Sequence, residues 1–182
     1  MIITILKKVK DLKISAPDLI TRPSGKKVFE SVKSSLDIIS ENETILIDFK
    51  GIGVIDSSFI DEFIVKLILE SKKEEKPFFI KLKNISDIAE INIDSVFKTY
   101  SNYNKERMVV ITDDIRKNNS FFIGSLEEFE KSLLAFLRVN KNAGVDELAS
   151  NLEKSIDETA SILDRLYAER LIKKIKGYYF FI

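Results

Sequence analysis

The sequence predicts an α/β domain followed by a small α+β domain. Three observations carry this. Apolar strand-like runs at residues 45–49, 78–82 and 108–112 alternate with stretches of helical periodicity. That alternation argues for βαβ units and a largely parallel sheet. After residue 124 the pattern changes to three short amphipathic helices and a terminal pair of β-rich runs. The expected domains are residues 1–120 and 125–182, with the boundary within 113–124.

The elements follow in order. Residues 2–6 are β-rich and read as a short strand, and 7–22 as a loop or second short strand. Val28, Phe29, Val32, Leu36 and Ile39 fall at helical spacing, with Ser24 as the expected cap. A polar turn at 40–43 leads to the strand at 45–49, and Gly51 and Gly53 mark the turn after it. Residues 57 to about 74 form a second helix with a broad apolar face; the charged run 72–76 and Pro77 end it. The third helix, 86 to about 100, is expected to turn Ile88, Ile91, Val96, Phe97 and Tyr100 inward. Residues 113–120 read as a loop, and 121–123 as a last short strand.

Composition excludes several functions. The 182 residues carry 29 Lys plus Arg against 29 Asp plus Glu, so no net charge draws the chain to nucleic acid or anionic lipid. Without cysteine there is no thiolate chemistry. Without histidine the commonest general base and transition-metal ligand are gone. These absences argue against an enzyme, a metal site or a cofactor. The N-terminus lacks the order of a secretory signal, and no apolar run approaches the ~20 residues of a membrane span. A cytoplasmic protein is expected.

The most informative stretch is 45–59, where an apolar strand runs through a glycine turn into Asp56-Ser57-Ser58 at a helix start. In parallel α/β sheets, groups projected from the strand's carboxyl end are where ligands and switches sit. Asp56, Ser57 and Ser58 are also good helix caps, and Ser58 with Asp61 has capping-box spacing. A phosphoryl group on either serine would add about −1.5 to −2 charges beside Asp56, Asp61 and Glu62 and remodel any surface docking there. Asp48 ends the strand, suited to bonding the following turn or facing Asp56 across a crevice. Asp113 and Asp114 read as loop residues rather than metal ligands. Gly51 and Gly53 lack the lysine and spacing of a phosphate loop.

Residues 45–58 resemble the strand–turn–helix of STAS domains, the family of anti-sigma-factor antagonists and sulfate-transporter tails. There, Asp-Ser-Ser-Gly or Asp-Ser-Thr-Gly begins the helix, and the hydroxyl residue after the Asp is phosphorylated in the antagonists. Ser57 holds that place. Phe59 stands where the family has glycine. Asp48-Phe49, the run Ser58-Phe59-Ile60-Asp61-Glu62, and Arg22 with Gly25 are closer to divergent STAS-like domains of unknown function. The resemblance implies a non-enzymatic regulator that docks a protein partner through Asp56, Ser57, Ser58, Asp61 and Glu62. It further implies a partner of the histidine-kinase-like ATPase type and a phosphoryl switch at Ser57. It leaves oligomerisation open.

Residues 125–182 place Val145, Leu148, Ala149 and Leu152, then Ala160, Leu163 and Leu166, then 171–175, a Lys176-Gly177 turn and 178–182. Three helices and a hairpin are similar to winged helix-turn-helix domains. Their usual role is DNA binding through the third helix. Charge argues otherwise. This segment carries nine Lys/Arg against ten Asp/Glu, and Asp157 and Glu158 open the third helix. Affinity for DNA rests mainly on phosphate neutralisation. Arg165, Lys173, Lys174 and Lys176 are the candidate DNA contacts; the favoured reading is a protein-interaction module, with a DNA-binding transcription regulator as the alternative.

Overall fold

A computed structural model describes residues 1–73, 76–115 and 120–182. The chain divides into two compact units, Met1–Ser125 and Leu126–Ile182.

The first unit holds a five-stranded mixed sheet in the order β1-β2-β3-β4-β5. The strands are β1 (Ile2–Thr4), β2 (Thr44–Asp48), β3 (Phe79–Lys83), β4 (Val109–Thr112) and β5 (Phe122–Gly124). The first four run parallel and β5 returns antiparallel beside β4. The central strands are apolar because both faces are covered: all four residues of β4 are buried. Gly124 ends β5 at φ +111°, where an added Cβ would lie 2.3 Å from the Met108 carbonyl oxygen. Only glycine fits there.

The helices are α1 (Ile5–Asp11), α2 (Arg22–Lys33) and a continuous helical run formed by α3 (Ser57–Ile60), a π-helical turn (Asp61–Val65) and α4 (Lys66–Lys73). Then comes α5 (Asp87–Asn104). Several local expectations need correction. The N-terminal strand stops at Thr4, and residues expected to be loop or strand form α1, because Ile5 and Val9, one turn apart, both reach the core. Thr21 caps α2, accepting from the Ser24 backbone N–H, so Ser24 lies inside the helix. The helix ends at Lys33, and a 3₁₀ turn (Leu36–Ile38) follows. On α5, Ile88 and Ile91 point outward, 58% and 67% exposed; Ala89, Ile93 and Phe97 form the buried stripe. Glu74 and part of the 113–120 loop lie outside the described residues.

The second unit contains α6 (Glu128–Asn140), β6 (Asn142–Ala143), α7 (Val145–Asn151), α8 (Ile156–Ala168), β7 (Ile172–Ile175) and β8 (Tyr178–Phe181). Its sheet is antiparallel in the order β6-β8-β7. Lys176 and Gly177, both at positive φ, make the tight hairpin turn. Leu133, Leu137, Leu148, Leu163 and Leu166 are fully buried and form its core. Glu130 is also fully buried; it accepts from the Glu127 backbone N–H at 2.9 Å and pairs with Arg165 at 2.8 Å. Among the described residues no helix is long and apolar enough to cross a membrane.

Candidate functional site

The turn after β2 is held from two sides. The segment 17–19 runs beside it: the Gly53 N–H donates to the Pro17 carbonyl at 3.0 Å, Leu19 N–H to Val54 at 2.8 Å, and Asp56 N–H to Leu19 at 3.1 Å. The Asp18 carboxylate accepts from the Val54 N–H at 2.9 Å. From α5, the Asn92 amide donates to the Ile55 carbonyl at 2.8 Å. The backbone that delivers Asp56-Ser57-Ser58 is therefore fixed by bonds to sequence-distant segments.

Asp56 is the N-cap of α3; its Oδ1 accepts from the Phe59 N–H at 2.8 Å. This corrects the Ser58–Asp61 capping box, since Asp56 caps the helix and Asp61 faces Arg22. Ser57 is exposed and Ser58 half-buried. Both line an open cleft of about 360 Å³ between the start of the helical run and α5, with Arg22, Asp61, Ser95, Thr99 and Tyr103 on its walls. Burial pushes the Tyr100 phenol, also on this wall, above its usual range, with Glu106 and Asp61 adding to the effect.

Within the signature run beside the turn, Phe59 and Glu62 are scaffold. Phe59 is fully buried, its ring 5.6 Å from that of Phe63, so the residue at the family's glycine position fills the core. Glu62 is 8% exposed, which removes it from any docking face. Its two oxygens are held separately: Oε1 accepts from Arg22 Nη1 and Oε2 from Lys66 Nζ, each at 2.5 Å. The same Arg22 nitrogen donates to Asp61 Oδ2 at 2.7 Å. Lys66 chiefly, then Arg22, hold the Glu62 carboxyl below its ordinary range, outweighing the opposing effect of burial. Asp61 and Glu62 bind the Arg22 proton still more firmly.

Gly25 explains how Arg22 reaches this pair. A Cβ at Gly25 would stand 2.9 Å from Glu62 Cβ and 3.0 Å from the Phe59 carbonyl oxygen. The missing side chain lets α2 approach the helical run at Phe59 and Glu62. The π-helical turn begins at Asp61, and such insertions recur at functional sites. Spacing alone did not reveal it, because three consecutive residues of the turn, Phe63, Ile64 and Val65, are all buried and blur the helical period.

At the neighbouring strand ends, Asp48 accepts from the Lys50 N–H at 2.8 Å and the Asn84 amide at 2.6 Å. Lys83, at 2.9 Å, holds the Asp113 carboxyl below its ordinary range, with Lys81 assisting. Asp114 accepts from the Asn84 N–H. In the second unit, Lys174 pairs with Asp164 at 2.8 Å and Arg165 with Glu130 and Glu127. Lys176 is exposed and Lys173 half-buried.

Residues 24–89 match a family described as a STAS-like domain of unknown function. This stretch of the first unit is thus similar to a STAS-like domain; it takes in most of α2, β2 and the helical run, and with them Ser57, Ser58 and Asp61 of the cleft. No curated protein matches the chain.

Proposed function

We propose that the chain is a non-enzymatic regulator whose STAS-like domain docks a protein partner at the Asp56–Asp61 face. One observation carries this reading: Ser57 stands exposed on a turn braced by segments from elsewhere in the fold, at the rim of an open cleft. A hydroxyl that is ordered and reachable suits recognition and modification. A phosphoryl group on Ser57 would place about −1.5 to −2 charges one helical turn from Asp61 and beside Asp56, opposing the docking of an acidic surface. The implied partner is a kinase of the histidine-kinase-like ATPase type, acting in the cytoplasm.

The second unit serves this reading as a winged-helix interaction module. Its helices, short strand and hairpin support the winged-helix assignment. The pairing of Arg165 and Lys174 with carboxylates supports protein contact over DNA. The test is co-purification with an ATPase kinase encoded beside this chain. Ser57→Glu and Asp61→Lys are expected to abolish the complex and Lys174→Glu to leave it intact. Retention of the complex by both cleft variants refutes the proposal. Salt-sensitive binding to genomic DNA, lost on combining Lys173→Glu and Lys174→Glu, would instead establish the DNA-binding alternative.

A further inference from the structure

The outer face of α5 is divided lengthwise. Ile88, Ile91, Ser95, Thr99 and Tyr103 follow one another at spacings of three or four and share one side of the helix. All five are exposed, Ile91 by 67% and Tyr103 by 83%. None is charged. Along one edge of this stripe, on a second azimuth, run Asp87, Asp94 and Lys98, and Lys105, the left-handed C-cap, stands just past the end of the helix. The acidic pair lies toward the N-terminal end and the basic pair toward the C-terminal end. Asp94 and Lys98 are joined within the helix at 2.5 Å.

This order is symmetric with opposite sign about residue 96. Two copies of α5 packed antiparallel around a two-fold axis there bring like edges together in reverse order. Asp94 then faces Lys98 of the partner subunit. An isologous interface requires this self-complementarity, since each patch meets its own copy. Small Ser95 beside the axis allows close approach, and Ile88 and Ile91 meet the far half of the partner's stripe. Acid first and base last also complements the helix dipole, but the dipole does not call for exposed isoleucines beside the charges.

We infer that α5 is a self-association surface: its uncharged stripe packs antiparallel on the α5 of a second copy, with the Asp94–Lys98 edge setting the register. The stripe is roughly 22 Å long at about 1.5 Å per residue. One helix face covers less than the roughly 800 Å² per partner of a standard interface, so the pair is weak and concentration-dependent. Ser95, Thr99 and Tyr103 also wall the cleft beside Ser57, so self-association and partner docking compete for that face; the dimer is read on the chain alone, with no partner present.

Sedimentation velocity of the full chain from about 5 to about 500 µM tests it across the range expected of a weak interface. The expected result is a monomer–dimer equilibrium that Ile91→Lys shifts at least tenfold toward monomer. Asp94→Lys is expected to weaken the dimer, and adding Lys98→Asp to restore it; that recovery also shows that the variants fold. The chain has no cysteine, so single thiols report geometry. Under diamide, which takes up the two electrons and two protons as the S–S bond forms, Ser95→Cys should cross-link beside the axis. Ile91→Cys should not, because its copies lie roughly 15 Å apart along the helices. A monomer at every concentration overturns the inference. A dimer indifferent to Ile91→Lys, or cross-linked equally at both positions, overturns it as well.

Discussion

Replacing Gly25 by alanine sets two effects of opposite sign against each other. Gly25 lies inside α2, so alanine should stabilise that helix by about 0.8–1.0 kcal/mol. Against this, the new methyl meets Glu62 Cβ at 2.9 Å, the Phe59 carbonyl oxygen at 3.0 Å and Phe59 Cα at 3.1 Å. Two of those atoms are backbone, and Phe59 itself is fully buried, so no side-chain rotation relieves the clash. The helices must separate by several tenths of an ångström. Overpacking of this kind costs about 1–3 kcal/mol, and separation also loosens the seat of Arg22 on Asp61 and Glu62. The net expectation is destabilisation by about 1–2 kcal/mol, which lowers Tm by roughly 4–10 °C for a unit of this size. Urea and thermal unfolding followed by circular dichroism, with the second unit's own transition resolved separately, provide the measurement. A Gly25→Ala variant as stable as wild type, or more stable, refutes the claim that a bare backbone is needed where α2 meets the helical run.

Other outcomes follow from the same geometry. Glu62's carboxyl is held below its ordinary range by Lys66 and Arg22, so its stabilisation is full above the unfolded glutamate pKa, about 4.3, and is lost as pH falls through the lower folded value. Wild-type stability should therefore drop more steeply on acidification below about pH 5 than that of Glu62→Gln; parallel curves would contradict this. Phe59→Ala should cost about 3–5 kcal/mol by cavity formation, measured by chemical denaturation, while Phe59→Leu should cost far less; a mild loss for alanine would mean the ring is not a core element. In the second unit, Arg165→Ala removes the 2.8 Å ion pair from the fully buried Glu130 carboxylate. It should destabilise that unit by about 2–4 kcal/mol, which a DNA-contact residue would not do.

The alternation of strand and helix patterns at 45–112 specified the βαβ order, because buried parallel strands leave short apolar runs between amphipathic helices. The Asp56-Ser57-Ser58 step was legible for the same reason, since caps and glycine turns are local chemistry. The roles within the signature were not. Asp61 and Glu62 read alike as docking carboxylates, yet Glu62 is sealed under Arg22 and Lys66 while Asp61 borders the cleft. Ile88 and Ile91 read as inward because apolar residues at helical spacing usually are, whereas the buried stripe of α5 runs through Ala89, Ile93 and Phe97.

By itself the sequence determined the strand and helix alternation of 45–112, the strand–turn–helix step that presents a hydroxyl, and the exclusion of cysteine and histidine chemistry, all properties of neighbouring residues and composition. The tertiary structure alone decided which carboxylate is buried, that Gly25 admits α2 against Phe59, and which face of α5 meets water. Those depend on which segments, tens of residues apart, come within contact distance, and periodicity along one chain segment carries no record of what packs against it.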